Sequence, residues 1–430
     1  MRAMKNSGIA WIGEIPQEWD LRKIKFSFGI VAGATPKSGE ANYWDGDIPW
    51  VTPADYTTED VLISAGRKSI TPEGMGSCAT SLVPAGSLVF SKRAPVGLVA
   101  ISSNPLCTNQ GCLSCVPKEK VDAKYYYYVM SIYSEQFDLF ASGTTFKEIS
   151  ADAFANFKLP YPIFETQKKI AAYLDAKCAE IDALIAAKEK TNALLKERRQ
   201  SIIYEAVTKG LDPSVPMKDS GVEWIGEIPE GWSVRRLKTL ASFQTGSTPS
   251  TSNPEYFEGN INWFTPGDFG DSFYLTKSER TLSQATIDNG IISLYDNESI
   301  LLVAIGATVG KIGLLKIPAY SNQQITAITL HEQTRAEYYA YWLQAAASSI
   351  KATANYTTLP IINNAHLGET LCPFVDDELV QAEIASYLRR QCAQIDSLIL
   401  KNSDGIRKLK EYRQSLVFEA VTGKIELLKQ

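Results

Sequence analysis

The sequence predicts an α+β fold: two similar globular domains separated by two long antiparallel helices that pair as a coiled coil, with pseudo-two-fold character. Three observations predict it. The stretch SGIAWIGEIPQEW at 7–19 returns as SGVEWIGEIPEGW at 220–232. Segments rich in short apolar runs and broken by Gly and Pro follow each copy of that phrase. Each such segment then gives way to a long stretch with heptad spacing, the first of which has no Gly or Pro from Glu165 to Thr208.

The repetition extends over most of the chain. At an offset of 213 residues, Gly33, Thr35, Pro36, Tyr43, Gly46, Trp50, Thr52, Pro53 and Asp55 recur as Gly246, Thr248, Pro249, Tyr256, Gly259, Trp263, Thr265, Pro266 and Asp268. RAPVG at 93–97 meets GATVG at 306–310, and TNQ at 108–110 meets SNQ at 321–323. At an offset of 214, QKKIAAYLDAKCAEIDALI (167–185) meets QAEIASYLRRQCAQIDSLI (381–399), and RQSIIYEAVT (199–208) meets RQSLVFEAVT (413–422). Two copies at so long a period are a duplication, not a solenoid. The predicted division is a first head at 1–163, a first long helix at 164–210, a second head at 211–378 and a second long helix at 379–430.

Within each head, runs such as GSLVFSKRAPVGLVAIS and NESILLVAIGATVGKIGLLKI read as strands. The stretch at 123–142 reads as helix. In the helical parts the first seam runs through Leu174, Cys178, Ile181, Ile185, Lys188, Asn192, Leu195, Arg199, Ile202 and Ala206. The second runs through Leu388, Cys392, Ile395, Ile399, Asn402, Ile406, Leu409, Arg413, Leu416 and Ala420. The helix-pairing residues proper are Leu174, Ile181, Ile185, Leu195 and Ile202 with Leu388, Ile395, Ile399, Leu409 and Leu416. The polar breaks have two readings: buried positions that set register, or long side chains that reach out of the seam. Chain order places the heads at opposite ends of the first helix, and pairing along shared heptads makes the second helix run back antiparallel. Two heads held apart at a set distance suit half-sites spaced along duplex DNA.

Composition narrows the chemistry. The net charge of −5 argues mildly against nucleic acid, although a local patch can bind regardless of the total. The first head (11–163) has 13 basic and 16 acidic residues, the second (224–376) has 9 and 14, and both helical stretches are net positive. DNA-binding heads of this charge need help from a partner with more phosphate contacts. Seven cysteines without framework spacing read as reduced thiols. No run is long enough to span a bilayer and the N-terminus lacks a signal-peptide core, so a cytoplasmic protein that does not engage membranes is expected. Cys107, Cys112 and Cys115 invite a zinc site, but they align with Tyr320, Ile325 and Ile328. A scaffold that accepts Tyr and Ile there uses cysteine as a small hydrophobe, so no metal is expected.

The doubled WIGEIP opening (11–16 and 224–229), the TP…W…TP.D block (35–55 and 248–268), the A-x-V-G element and the Q..IA.YL…ID.LI helices ending in RQS…EAVT together resemble the specificity subunit of type I restriction–modification enzymes. The resemblance covers nearly the whole chain. It implies that the heads are target recognition domains, each reading one half of a split, asymmetric DNA sequence. It also implies that the helices act as a ruler and dock two methyltransferase subunits, that the assembly methylates adenine, and that added motor subunits cleave unmethylated DNA. S-adenosylmethionine is then expected on the methyltransferase partner, with no cofactor on this chain. A two-headed protein-binding scaffold without DNA specificity is the alternative, and the acidic heads are its best support.

The chain itself shows no catalytic motif. Asn253-Pro254-Glu255-Tyr256 is the nearest approach to the methyltransferase Asn-Pro-Pro-aromatic motif, with Glu where the second Pro belongs, and its copy is Glu40-Ala41-Asn42-Tyr43. There is no G-x-G-x-x-G after a strand, no phosphate-binding loop motif, and neither His331 nor His366 has an evident metal or triad partner. No enzyme activity is therefore expected, and no catalytic residue is assigned. Base readout should fall where the copies differ, and on Arg, Lys, Asn, Gln and small polar groups. The candidates are Lys92 and Arg93, expected at a loop tip, Lys311 in the matching part of the second head, and Arg67 and Lys68 with Lys277 and Arg280. The loops SGTTFKEIS and NYTTLPIIN add Thr144, Thr145 and Lys147 with Tyr356, Thr357 and Thr358. Gln323 and its neighbours in the Asn109-Gln110 and Asn322-Gln323 pairs suit adenine; their presence in both copies equally suits a structural role.

Overall fold

The computed structural model describes residues 2–56, 61–143, 147–270, 272–288, 293–331, 336–352, 355–356 and 360–427. Thr144, Thr145, Thr357 and Thr358 lie outside the described residues. The chain forms two compact units, one of residues 1–188 with 404–430 and the other of residues 189–403.

In the first unit a five-stranded sheet has the order Phe28–Ala32, Cys112–Pro117, Leu88–Ser91, Val99–Ser102, Leu62–Ile63. Its central strand reads Leu88-Val89-Phe90, and every residue is buried because both faces are covered. Successive side chains in a strand point to opposite faces. Leu88 and Phe90 accordingly join the cluster that includes Tyr125, Tyr126 and Val129 of the helix Ala123–Ile132, whereas Val89 joins Val51, Val83 and Leu106. Asp122 caps that helix by accepting the Tyr125 N–H at 2.8 Å. A three-stranded sheet, Cys107–Thr108, Trp44–Val51 and Lys68–Ile70, lies alongside in sequence.

The second unit repeats this plan on its own. Its five-stranded sheet runs Ala241–Thr245, Ile325–Leu330, Ile300–Val303, Ile312–Leu315, Tyr274–Leu275, and its three-stranded sheet is Thr281–Leu282, Ile261–Phe264, Tyr320–Ser321. Ile300 and Leu302 face one cluster and Leu301 and Val303 the other. The three aligned cysteines of the first head sit in three different apolar clusters: Cys107 with Trp50 and Ile70, Cys112 with Val51 and Val89, and Cys115 with Leu88 and Phe90. Burial pushes the Cys112 thiol up to about 12 and raises Cys115 further. These are core thiols, not metal ligands held in common.

The long helices span Phe164–Lys209 and Glu378–Val421. At 1.5 Å per residue each is about 65–70 Å long. They pair antiparallel within each unit. In the first unit Asp182 pairs with Arg413 at 3.0 Å. In the second, Arg199 pairs with Asp396 at 3.1 Å, and Asn192 donates to the Ser403 hydroxyl at 3.4 Å. Leu174, Ile181, Ile185, Ile202, Leu388, Ile395 and Leu416 are buried, and Leu195, Ile399 and Leu409 are half-buried against the same clusters. The polar break at Arg199 does not reach into solvent: its side chain is 16% exposed and crosses to Asp396. Its copy, Arg413, crosses to the copy of that aspartate, Asp182. Both arginines therefore match register across the helix pair.

The repeated phrase has a structural job in both units. Ile12, Ile15 and Trp19 pack with Leu416, Val417, Ala420 and Val421, at the C-terminal end of the second helix. Ile225, Ile228 and Trp232 pack with Ile202, Ile203, Ala206 and Val207, at the C-terminal end of the first. Tyr125 Oη donates to the Val421 carbonyl at 3.1 Å, and its copy Tyr338 donates to the Val207 carbonyl at 3.0 Å. The phrase thus seats each head on a helix end.

One seat contact inverts between the units. Lys124 of the first head pairs with Asp175 of the first long helix at 2.5 Å. At the same two positions the second unit has Glu337 and Arg389, joined by Arg389 Nε to Glu337 Oε1 at 2.9 Å and by a second, shorter contact through Nη2. The ion pair is retained with its polarity reversed.

Candidate nucleic-acid interface

The shared polar residues turn out to hold the scaffold. Gly33 and Gly246 run so close to the neighbouring chain that a Cβ would stand 2.2 Å from the carbonyl oxygens of Asn109 and Asn322 respectively. That close approach brings Thr35 against Gln110 and Thr248 against Gln323, each hydroxyl donating to the amide Oε1. Asn109 Oδ1 accepts the Gly111 N–H at 2.9 Å, and Asn322 Oδ1 accepts the Gln324 N–H at 3.1 Å. Trp50 and Trp263 donate their indole N–H to the carbonyls of Ala34 and Ser247. The Asn-Gln pairs therefore serve loop closure in both heads, while the exposed Gln110 and Gln323 keep an amide face to solvent. The Asn253–Tyr256 segment is likewise a turn: Pro254–Phe257 is a 3₁₀ helix, and the Tyr256 carbonyl accepts the Ser283 N–H at 3.0 Å as Tyr43 accepts Thr71 at 3.1 Å.

A second shared device positions the basic candidates. Thr52 with Asp55, and Thr265 with Asp268, form reciprocal capping boxes. The spare carboxylate oxygen of Asp55 accepts the Arg67 N–H at 3.0 Å and the Arg67 Nε at 3.1 Å. Burial raises the Asp55 carboxyl, but the hydrogen bonds from Thr52 and Arg67 outweigh it and hold the group below its usual range. Asp268 instead accepts the Glu279 N–H at 2.6 Å, and this frees the aligned Arg280. Arg280 lies over the rings of Trp263 and Phe257, at 5.0 and 5.1 Å. In the first head Lys68 takes the corresponding role over Trp44, at 5.2 Å. Each head thus presents an exposed cation on an aromatic platform, but with a different cation. Lys277 is exposed, and Lys311 donates to the Phe269 carbonyl at 2.5 Å.

Lys92 and Arg93 do not stand at a free tip. Their backbone N–H groups both donate to the Gly111 carbonyl, and the Lys92 carbonyl accepts the Ile149 N–H at 3.0 Å. Both side chains converge on Glu148: Lys92 Nζ at 2.7 Å and Arg93 Nε at 2.7 Å. Lys92 is only 15% exposed as a result. Its hydrogen bond, helped by Arg93, outweighs desolvation and holds the Glu148 carboxyl below its ordinary value. Lys147 pairs with Asp138 at 2.6 Å. Among the described residues, the second head closes the same seam through apolar side chains: Ile305 bridges Ile361, and the Ile362 N–H donates to the Ala304 carbonyl at 2.9 Å. Asn355–Tyr356, which carries candidate Tyr356, forms a short antiparallel pair with Pro360–Ile361. Sequence reasoning missed Glu148. Its only signal was a copy difference, Glu148 against Ile361, in a loop chosen for other residues.

Two heads on one scaffold, alike in topology and different in the side chains their loops present, define a two-headed recognition protein. The chain belongs to the type I restriction modification DNA specificity family, whose domain matches it twice, over residues 16–196 and 229–402. It is the DNA specificity subunit of a type I restriction–modification system, a component that is non-catalytic in such systems. The MjaIX specificity subunit of Methanocaldococcus jannaschii is 28% identical over 426 residues, covering 97% of this chain and 95% of that protein. The MjaVIII specificity subunit of the same organism is 26% identical, with 72% of each chain covered. Among solved structures, a chain from a type I restriction–modification complex superposes with a TM-score of 0.72 at 16% identity, covering 96% of this chain and 99% of that one. The HsdS subunit from Thermoanaerobacter tengcongensis superposes with a TM-score of 0.50 at 16% identity, covering 96% and 98%. These likenesses show a shared fold. No described helix is long and apolar enough to cross a membrane.

Proposed function

We propose that the two heads read two different half-sequences of one bipartite, asymmetric duplex DNA target and thereby direct adenine methylation, and restriction where motor subunits are present, by partner subunits. The observation that carries this reading is the pairing of identical strand order with divergent loop chemistry: Lys92, Arg93 and Glu148 against Ala304, Ile305 and Ile361. Base and phosphate contacts are assigned to Arg67, Lys68, Lys92, Arg93, Thr144, Thr145 and Lys147 in the first head. In the second head they are assigned to Lys277, Arg280, Lys311, Gln323, Tyr356, Thr357 and Thr358. The helical segments between the heads set the number of unread bases.

Two methyltransferase subunits, each holding its own S-adenosylmethionine, dock on the helices. Supporting this, Leu184 and Leu398 occupy the same position in the two copies, and both are exposed on their helices, at 54% and 50%. Two equivalent apolar positions suit two copies of one partner. The test is binding by the assembled complex to duplexes in which one half-sequence at a time is scrambled. Lys92→Ala with Arg93→Ala should weaken discrimination at one half only. Equal loss at both halves contradicts the two-head reading.

A further inference from the structure

The Lys92–Arg93–Glu148 cluster is more than the fold requires. Among the described residues, the second head closes the equivalent seam with the Ile305–Ile361 bridge and backbone hydrogen bonds. In the first head the backbone closure is also present: Ser142 and Glu148 exchange N–H and carbonyl groups at 3.0 Å in both directions, and Ile149 bonds to Lys92. The ions are therefore an addition to a seam that already closes. They are also unbalanced, because one carboxylate faces two cations within 2.7 Å. Arg93 uses only its Nε for Glu148, so its two terminal nitrogens have no hydrogen-bond partner among the described residues. A guanidinium so placed keeps part of its fork geometry for a second anion.

We propose that Glu148 is an internal stand-in for a DNA phosphate: it occupies Lys92 and Arg93 in the free protein, and a backbone phosphate of the first half-sequence takes its place on Arg93 in the complex. This rests on the reading that the first head contacts DNA through Lys92 and Arg93. Every duplex offers phosphates, so an open cation pair would bind DNA of any sequence. A carboxylate that must first be displaced sets a cost on each binding event. Only the half-sequence whose bases make further contacts offsets that cost. Glu148 then lowers the affinity for every duplex, which keeps binding to unrelated DNA weak without touching a base. The second head carries Ile361 at this position.

The test uses the full chain assembled with its methyltransferase partners, and compares wild type, Glu148→Gln, Arg93→Ala and the double variant. Probes are a duplex carrying the complete target and one with the first half scrambled, titrated at several salt concentrations. Glu148→Gln keeps the side-chain shape, and an unchanged melting profile checks folding. It should tighten binding to both duplexes, roughly three- to tenfold. On the scrambled duplex, where wild-type Arg93 stays on Glu148, the slope of log affinity against log salt should steepen by about one, because the released Arg93 neutralises one more phosphate. The double variant should lose the gain. If Arg93→Ala weakens target binding but Glu148→Gln weakens it too, or leaves the salt slope unchanged, Glu148 is a structural clamp and the inference fails alone. If Arg93→Ala changes neither duplex, the contact assignment fails and takes the inference with it.

Discussion

Replacing Arg389 with Ala should destabilise the second unit in a strongly pH-dependent way. Glu337 is 11% exposed and depends on Arg389 and on the Tyr274 hydroxyl for its partners. Removing one member of a buried pair costs about 3–5 kcal/mol. Arg389 itself is 55% exposed, so water screens part of the pair, and a loss of about 2 kcal/mol at neutral pH is expected. For a cooperative unit of this size that lowers the melting temperature by about 4–8 °C. Burial raises the Glu337 carboxyl, but the hydrogen bonds from Arg389 and Tyr274 outweigh it and leave the group below 4.5. A depressed carboxylate stabilises above its unfolded value and loses that contribution as pH falls through the folded one. In the variant the burial contribution is no longer outweighed, the carboxyl rises, and its charged form becomes a penalty at pH 7 that protonation relieves. Urea denaturation of wild type and variant at pH 7 and pH 4 should show the difference shrinking in acid. Exchanging the pair, Glu337→Lys with Arg389→Asp, restores the polarity seen at Lys124–Asp175 and should recover most of the loss. A difference equal at both pH values, or a loss under about 0.5 kcal/mol, would mean that the Glu337 charge does not depend on Arg389.

Gly423→Ala should cost about 1–3 kcal/mol, because its φ is +73° and a Cβ would lie 2.4 Å from Pro16 in the head seat. Gly210→Ala, with φ +75° and its nearest neighbour Trp232 at 3.5 Å, should cost only about 1 kcal/mol in the same urea titration. Gly405→Ala should stabilise by about 1 kcal/mol, since that glycine sits inside the second long helix and the added methyl meets only the flexible end of Lys188 at 3.4 Å. Leu184→Asp and Leu398→Asp should leave melting unchanged and weaken partner assembly roughly tenfold each, as read by native mass spectrometry. Four residues inserted after Gly210 should change the number of unread bases in the methylated motif and leave both half-sequences intact.

Much of the fold was legible because the chain is written twice. A strand run such as Leu88–Ser91 is ambiguous alone, but its match to Ile300–Val303 assigns it to a scaffold both heads need. The first long helix announced itself through a stretch free of Gly and Pro, and its seam through apolar spacing. The recurrence of WIGEIP marked it as common to both heads, and its packing on the helix ends made it a seat. The site was less legible, because ion pairs join residues with no local relation. Glu148 is 55 residues from Arg93, and Trp44 is 24 from Lys68. Basic residues were found from type and copy difference alone, whereas their partners depend on sheet register. Arg67 and Arg280 align, yet one pairs with Asp55 and the other stacks on Trp263 and Phe257.

On the proposed function, each head reads its own half of one split sequence. Genome-wide sequencing of modified adenines, in cells carrying the wild-type chain and in cells carrying Lys92→Ala with Arg93→Ala, tests it most directly. The expected motif has two different half-sequences separated by a fixed run of unread bases, with the variant relaxing one half and leaving the other. A continuous motif, two identical halves, or relaxation at both halves would contradict it.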